Sequence, residues 1–248
     1  KGNKTAWCGP DTLELSISAI RKAFAHQITK SSGIWWFDMW GGWYHSPEIM
    51  TELKGLRDIY QRCSQKDTNK SPKAEVAFLI DERAYANIQR GNHMLNMVNH
   101  LRVCMGNSGI PFDTFMVEDA DKILHKYKFA IFTAPYPSES GNKAIKICKA
   151  KNIPYYSASE NQDFISTDEL REILVSSGVH CYNDDGCVVY CDKGILGIHT
   201  VKDGEVKVKL PKKLKVKCLT DEASSELETD IITFTAPRYS TKLFEIIN

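Results

Sequence analysis

Gly33-Ile34-Trp35-Trp36-Phe37-Asp38-Met39-Trp40-Gly41-Gly42-Trp43-Tyr44 carries four of the five tryptophans of this chain. It opens as a short apolar run, as a strand buried on both faces does. It then meets an acid, Asp38, and breaks at Gly41-Gly42. Alternation along a strand puts Trp36 and Asp38 on one side and Trp35 and Phe37 on the other. An acid at the C-terminal end of a strand, followed by indoles around a double glycine, is a pattern that lines sugar pockets. The carboxylate takes hydroxyl hydrogen bonds, and the indole faces cover the apolar side of a pyranose. The competing reading is that these aromatics fill a helix–sheet interface. Trp35 and Phe37 are expected to do so, because apolar strand residues are mostly core. Trp40, Trp43 and Tyr44 fit either role, since loops after such strands carry sites.

Helical patterns flank the stretch. Asp11 reads as an N-cap with Glu14 three residues on, followed by Leu13, Ile17, Ile20, Phe24 and Ile28 at helical spacing. The stripe is one-sided, so this helix needs a sheet or barrel to pack on. Ser31-Ser32-Gly33 ends it, with Gly33 as the expected left-handed cap. Ser46 caps a second helix with Pro47 in its first turn and Ile49, Leu53, Leu56 and Ile59 on its apolar face. Residues 1–70 therefore read helix, strand, helix. One strand is not a sheet, so the Trp-rich strand needs neighbours that this region does not supply.

Residues 64–73 hold no apolar side chain and read as a linker. From 74 to 178 strands alternate with helices. Strands are expected at Glu75–Asp81, Phe112–Val117, Phe129–Thr133 and Ile153–Tyr156. The helices lie near Asn92–Met105, Ala120–His125 and Glu139–Lys151, with a last one after a Thr167 cap. Short loops between such elements predict an open, parallel, doubly wound sheet. No G-x-G-x-x-G and no G-x-x-x-x-G-K-[ST] follows any strand, and the third strand ends in Thr133-Ala134-Pro135-Tyr136-Pro137 without a nucleophile elbow. The sheet reads as non-catalytic.

Residues 179–248 are a run of short strand candidates. Asp185-Gly186 and Asp203-Gly204 are hairpin signals. Val206/Val208/Leu210 and Leu214/Val216/Cys218 read as two strands with one buried face. Lys207, Lys209, Lys215 and Lys217 then form a solvated face rather than an anion site.

Net charge is +1, from 32 basic and 31 acidic residues, which gives no electrostatic footprint for nucleic acid or an anionic membrane. No apolar run approaches the roughly 20 residues of a membrane span. The eight cysteines show no C-x-x-C and no Cys/His spacing suited to zinc. They are expected to be reduced, buried thiols. Cys181, Cys187 and Cys191 stand close enough to meet across a hairpin, but no disulfide is assigned. No metal and no cofactor is expected. No signal peptide is visible, and Lys1-Gly2-Asn3-Lys4-Thr5 opens the chain as if in mid-protein. The compartment is not legible.

The order of parts resembles the C-terminal portion of barrel glycoside hydrolases like the family 42 β-galactosidases. Trp-Trp-Phe-Asp-Met-Trp-Gly-Gly-Trp-Tyr (35–44) looks like the eighth strand and following loop of their (β/α)8 barrel. The resemblance implies an α/β chain of three parts. Residues 1–70 are the last elements of a barrel. Residues 71–178 are a flavodoxin/amidotransferase-like trimerisation domain, and 179–248 a small antiparallel β domain. It further implies a retaining hydrolase acting on a galactoside-like substrate, assembled as a homo-oligomer, with trimers implied, and with its two catalytic glutamates on barrel strands preceding Lys1. No catalytic residue transfers to this sequence. Asp38, Trp36, Trp40, Trp43 and Tyr44 become contributors to a sugar pocket, with Asp38 bonding a substrate hydroxyl and no glycosidase turnover expected from this chain alone. His45 either assists or is a surface residue before a helix cap. A different class of protein also fits: a non-catalytic assembly or regulatory module in which residues 1–70 lie as an arm against 74–178. An amidotransferase-like enzyme would need a reactive Cys104 or Cys148.

Overall fold

The computed structural model describes residues 10–37, 42–63, 71–87, 92–161, 164–221 and 225–247. Two compact units form: Lys1–Pro72 with Tyr190–Asn248, and Lys73–Val189. The expected linker, 64–73, lies mostly outside the described residues.

The first unit opens with α1 (Leu13–Thr29) and α2 (Pro47–Cys63). The cap of α1 is Thr12, one residue later than the sequence reading placed it, and its hydroxyl accepts from the Leu15 amide at 3.2 Å. Ser31, not Gly33, takes the left-handed conformation after α1 (φ 57°). Ser46 caps α2 as expected, accepting from the Ile49 amide. The Arg21 guanidinium on α1 makes a two-pronged hydrogen bond to Glu52 on α2, both at 2.7 Å. Two parallel N–H···O bonds of this kind add energy and geometric specificity over a single contact.

In the second unit β1 (Val76–Ile80), β2 (Phe112–Met116), β3 (Phe129–Phe132) and β4 (Tyr155–Ser157) make a parallel sheet in the order β2-β1-β3-β4. The helices are α3 (Asn92–Gly106), α4 (Ala120–Ile123), α5 (Glu139–Lys151) and α6 (Thr167–Ser176). Alternation sorts the core into two layers. Val76, Phe78, Phe129 and Ile131 pack under Met97 and Leu101 of α3 and Leu170 and Leu174 of α6. Ala77, Leu79, Ala130 and Phe132 pack under Ala120 of α4 and Ala144, Ile145 and Cys148 of α5. Both faces are covered, which is why β1 and β3 are apolar at every position. The cap of α6 is Ser166, not Thr167, because only Ser166 stands three residues before Glu169, and the two make a reciprocal capping box.

The remaining strands are β5 (Val188–Asp192), β6 (Ile195–His199), β7 (Gly204–Cys218), β8 (Leu227–Ala236) and β9 (Thr241–Ile247), in the sheet order β5-β6-β9-β7-β8. The two strands expected at 206–210 and 214–219 are one long strand, β7. Its register on β8 shifts between Lys209 and Leu214. Pro211 falls in that irregularity, where a residue without an N–H is tolerated. Alternation along β7 buries Val206, Val208, Leu210, Leu214 and Val216 and leaves Lys207, Lys209 and Lys215 exposed. Lys215 pairs with Glu226 and Lys207 with Glu205.

The apolar stripe of α1 finds its sheet here. Ile20, Phe24 and Ile28 share one cluster with Ile49, Leu56 and Ile59 of α2, Ile195 of β6 and Leu243 of β9. A methyl group on Gly197 of β6 would stand 2.6 Å from the Ala25 Cβ, so the approach of α1 to β6 requires a residue without a side chain there. Arg62 of α2 pairs with Glu245 of β9. Within this unit α1 and α2 share their apolar cluster with β6 and β9.

Candidate functional site

The strand expected over Ile34–Asp38 is not assigned as one among the described residues. Ile34 to Phe37 run without a ladder partner, though their side chains alternate as a strand's do. A strand exists through pairing, and no described neighbour supplies it. Trp35 and Phe37, expected in the core, are 79% and 59% exposed. Their rings stack on each other at 5.2 Å between centroids. Trp36 is half-buried and packs on the cluster shared by α1 and α2. Its carbonyl accepts a 2.7 Å hydrogen bond from the Tyr44 hydroxyl, eight residues on. Gly42 itself lies at φ +107°, a conformation that favours glycine. Trp43 begins a short 3₁₀ turn, Trp43–His45, that leads into α2. Asp38 and Trp40, the acid and one indole of the predicted pocket, fall outside the described residues, as does the Trp43 side chain.

Beneath this segment lies a groove of about 550 Å³. Phe24 of α1, Ile34 and Trp36 of the extended segment, and Met50, Leu53 and Tyr60 of α2 line it, with Lys54 and Arg57 among its polar members. The volume is that of a small-molecule site, and the lining is that of an unfinished core. Of the predicted residues, Trp36 and Tyr44 are brought together. The sequence reading missed the exposure of Trp35 and Phe37, because alternation alone does not say which face meets the helices.

The parallel sheet offers a second place to look, the crevice beyond β1 and β3 where the strand order reverses and where such sheets bind ligands. That crevice is filled from within. Asp81 is 1% exposed. Its carboxyl accepts from the Ser138 amide at 2.7 Å and from the Ala84 amide at 3.1 Å. The N-cap amide of α5, at the kind of helix end that seats anions, therefore donates to a carboxyl of the chain itself. Gly141 permits this, since a Cβ there would sit 2.3 Å from Asp81 Oδ2. Asp81→Ala leaves two buried amides without their acceptor and is expected to cost about 2 kcal/mol in urea unfolding. A loss under about 0.5 kcal/mol would mean the carboxyl is not holding the crevice closed.

All seven described cysteines are free thiols, so Cys181, Cys187 and Cys191 form no bridge. Cys104 and Cys148 are buried, and burial raises both thiol pKa values, that of Cys148 to about 11. His100 Nε2 sits 2.6 Å from the Ile165 carbonyl and 3.5 Å from Cys104 Sγ. Burial disfavours both thiolates, the form an amidotransferase nucleophile needs. Among the described residues no group of three His, Cys, Asp or Glu side chains is placed to hold a metal ion, and no helix is long and apolar enough to cross a membrane.

The fold thus defines a mixed α/β protein with a flavodoxin-like parallel sheet and a separate five-stranded sheet carrying two helices. A solved structure with a similar arrangement is the β-galactosidase from Bacillus circulans sp. alkalophilus. It superposes with a TM-score of 0.55 at 12% identity, over 81% of this chain and 45% of that one. This chain therefore spans less than half the length of that β-galactosidase, and at such identity the likeness is one of fold. No family model and no curated protein matches the sequence.

Proposed function

We propose that this chain is the C-terminal portion of a retaining glycoside hydrolase of β-galactosidase type, contributing one wall of the sugar pocket and the assembly domain. The observation that carries the reading is the fold likeness to a β-galactosidase over most of the chain. The groove under the Trp-rich segment supports it, because an apolar helix-facing surface beside an unpaired extended segment is what the last β/α elements of a barrel present without their neighbouring strands. On this reading residues 1–70 are the last elements of a barrel, held in one unit with the five-stranded sheet of the C-terminal part, and the parallel-sheet unit mediates homo-oligomer assembly, with a trimer as the expected state. Asp38 bonds a sugar hydroxyl, and Trp36, Trp40, Trp43 and Tyr44 contribute to the sugar pocket, with Trp36 and Tyr44 joined by a hydrogen bond.

Retention requires two carboxyl groups about 5–5.5 Å apart, one as acid and one as nucleophile. Asp38 alone cannot supply both. The purified 248-residue chain is therefore expected not to hydrolyse nitrophenyl β-D-galactoside, whereas the polypeptide from the complete reading frame is expected to do so with retained anomeric configuration. Turnover by the 248-residue chain, or inversion by the longer one, would sink the reading.

A further inference from the structure

We propose that the five-stranded sheet sets the position of the extended segment Ile34–Phe37, acting through α1, with Gly197 of β6 as the positioning residue. α1 lies across three consecutive strands, β9, β6 and β5. Near its start the Ser18 carbonyl accepts from the Thr241 hydroxyl of β9 at 2.8 Å, and the Ser18 hydroxyl donates to the Tyr239 carbonyl. About two turns on, Ala25 stands over Gly197 of β6. His26 meets Tyr190 of β5 edge to face, with 5.5 Å between ring centroids.

The same helix carries the segment. Phe24 lines the groove with Ile34 and Trp36, and Trp36 packs on the cluster that α1 shares with β6 and β9. The Ser32 amide bonds back to the Gln27 carbonyl at 3.0 Å, which ties the start of the segment to the last turn of α1. Position passes from sheet to helix at a contact without slack. A methyl group on Gly197 would meet the Ala25 Cβ at 2.6 Å, whereas carbon atoms rest at about 3.5–4.0 Å. Neither methyl has a rotamer to escape into. β6 is held between β5 and β9 by backbone ladders, and α1 is held by side chains, so α1 yields, by about 1 Å. Phe24 moves with Ala25, and Trp36 loses its seat. The consequence for catalysis rests on the barrel-hydrolase reading above: a displacement of that size, far from the reacting atoms, spoils substrate alignment.

The reporter is the 248-residue chain with Trp36 as its single tryptophan, Trp7, Trp35, Trp40 and Trp43 being replaced by Phe. Gly197→Ala is expected to raise acrylamide quenching of the Trp36 emission about twofold, as a half-buried indole that loses its packing does. Adding Ala25→Gly removes the clash and is expected to return quenching to the parent value. A mere loss of stability would instead grow in the double variant, because glycine weakens a helix. A folded Gly197→Ala chain with parental quenching overturns the proposal, as does a rise that persists in the folded double variant. Should Gly197→Ala not fold, Thr241→Val is read in its place, with Thr241→Ser, which keeps the hydroxyl, as the rescue; parental quenching in Thr241→Val overturns the proposal equally. In the polypeptide of the complete reading frame, Gly197→Ala is expected to lower kcat/KM for nitrophenyl β-D-galactoside about tenfold, and the double variant to recover it. A parent polypeptide without turnover overturns the hydrolase reading and leaves the quenching result standing. An active parent with quenching unmoved by Gly197→Ala overturns the positioning role and leaves the hydrolase reading standing.

Discussion

Gly109→Ala is expected to destabilise the 73–189 unit by about 4 kcal/mol. Two costs add. Gly109 has φ +73°, where an L side chain is strained. A Cβ built there would stand 1.7 Å from the Asn183 carbonyl oxygen, a backbone atom that no rotamer change can move aside. Asn183 is itself fully buried, and its side-chain oxygen accepts from the Asp185 and Cys187 amides at 3.0 Å each. The turn that would have to retreat is thus pinned from three directions, since the Tyr182 amide also donates to the Gly109 carbonyl. Gly55→Ala is the control: it lies within α2 with nothing within 4 Å of the added carbon. It should stabilise by about 0.5–1 kcal/mol. Urea titrations of both variants check the pair. A Gly109→Ala loss below about 1 kcal/mol would show that the turn at Asn183 is soft.

Acid is expected to loosen the other unit through His199. This imidazole is buried in the α1-facing sheet, with Nδ1 2.9 Å from Thr241 Oγ1. The Thr241 hydroxyl is in turn bonded to the Ser18 carbonyl of α1, and Ser18 donates to the Tyr239 carbonyl. Burial first, and the Lys22 charge second, depress the His199 pKa from 6.5 to about 4. A depressed histidine pKa means the folded state holds the neutral ring, while the unfolded chain takes a proton as soon as pH falls below 6.5. Stability is therefore whole above pH 6.5, declines as pH drops toward 4, and levels off below that. At about 1.4 kcal/mol per pH unit the full swing is about 3 kcal/mol. His26, also depressed by burial and by Lys30, acts in the same direction. Unfolding free energy measured between pH 7 and 4 should show this slope, and His199→Gln should remove most of it. An equal slope in the variant would assign the acid loss to other groups.

The parallel sheet was legible in outline because each of its signals is local. Apolar runs of strand length, turn residues between them, and helical periodicity do not depend on what the rest of the chain does. Two helix caps, Thr12 of α1 and Ser166 of α6, stand one residue from the expected positions because neighbouring residues of equal capping chemistry compete, and only the fold chooses between them. The candidate site was far less legible. The Trp-rich run has the composition of a buried strand, yet burial and pairing are supplied by partners. Without a ladder among the described residues, the same run leaves Trp35 and Phe37 exposed and turns Trp36 to the helices.

The sequence by itself determined which segments are helical, which are extended, and that no nucleotide-binding fingerprint or elbow nucleophile follows the strands, because propensity, periodicity and motif spacing are properties of short stretches. The tertiary structure alone decided three further matters. It joined the first 72 residues to the last 59 in one unit, since α1 needed a sheet and β6 and β9 provide it. It made one bent strand of two predicted ones, since β8 pairs with both halves. And it fixed which face of the aromatic run meets the helices, since alternation fixes only that two faces exist and the neighbours decide which is inside.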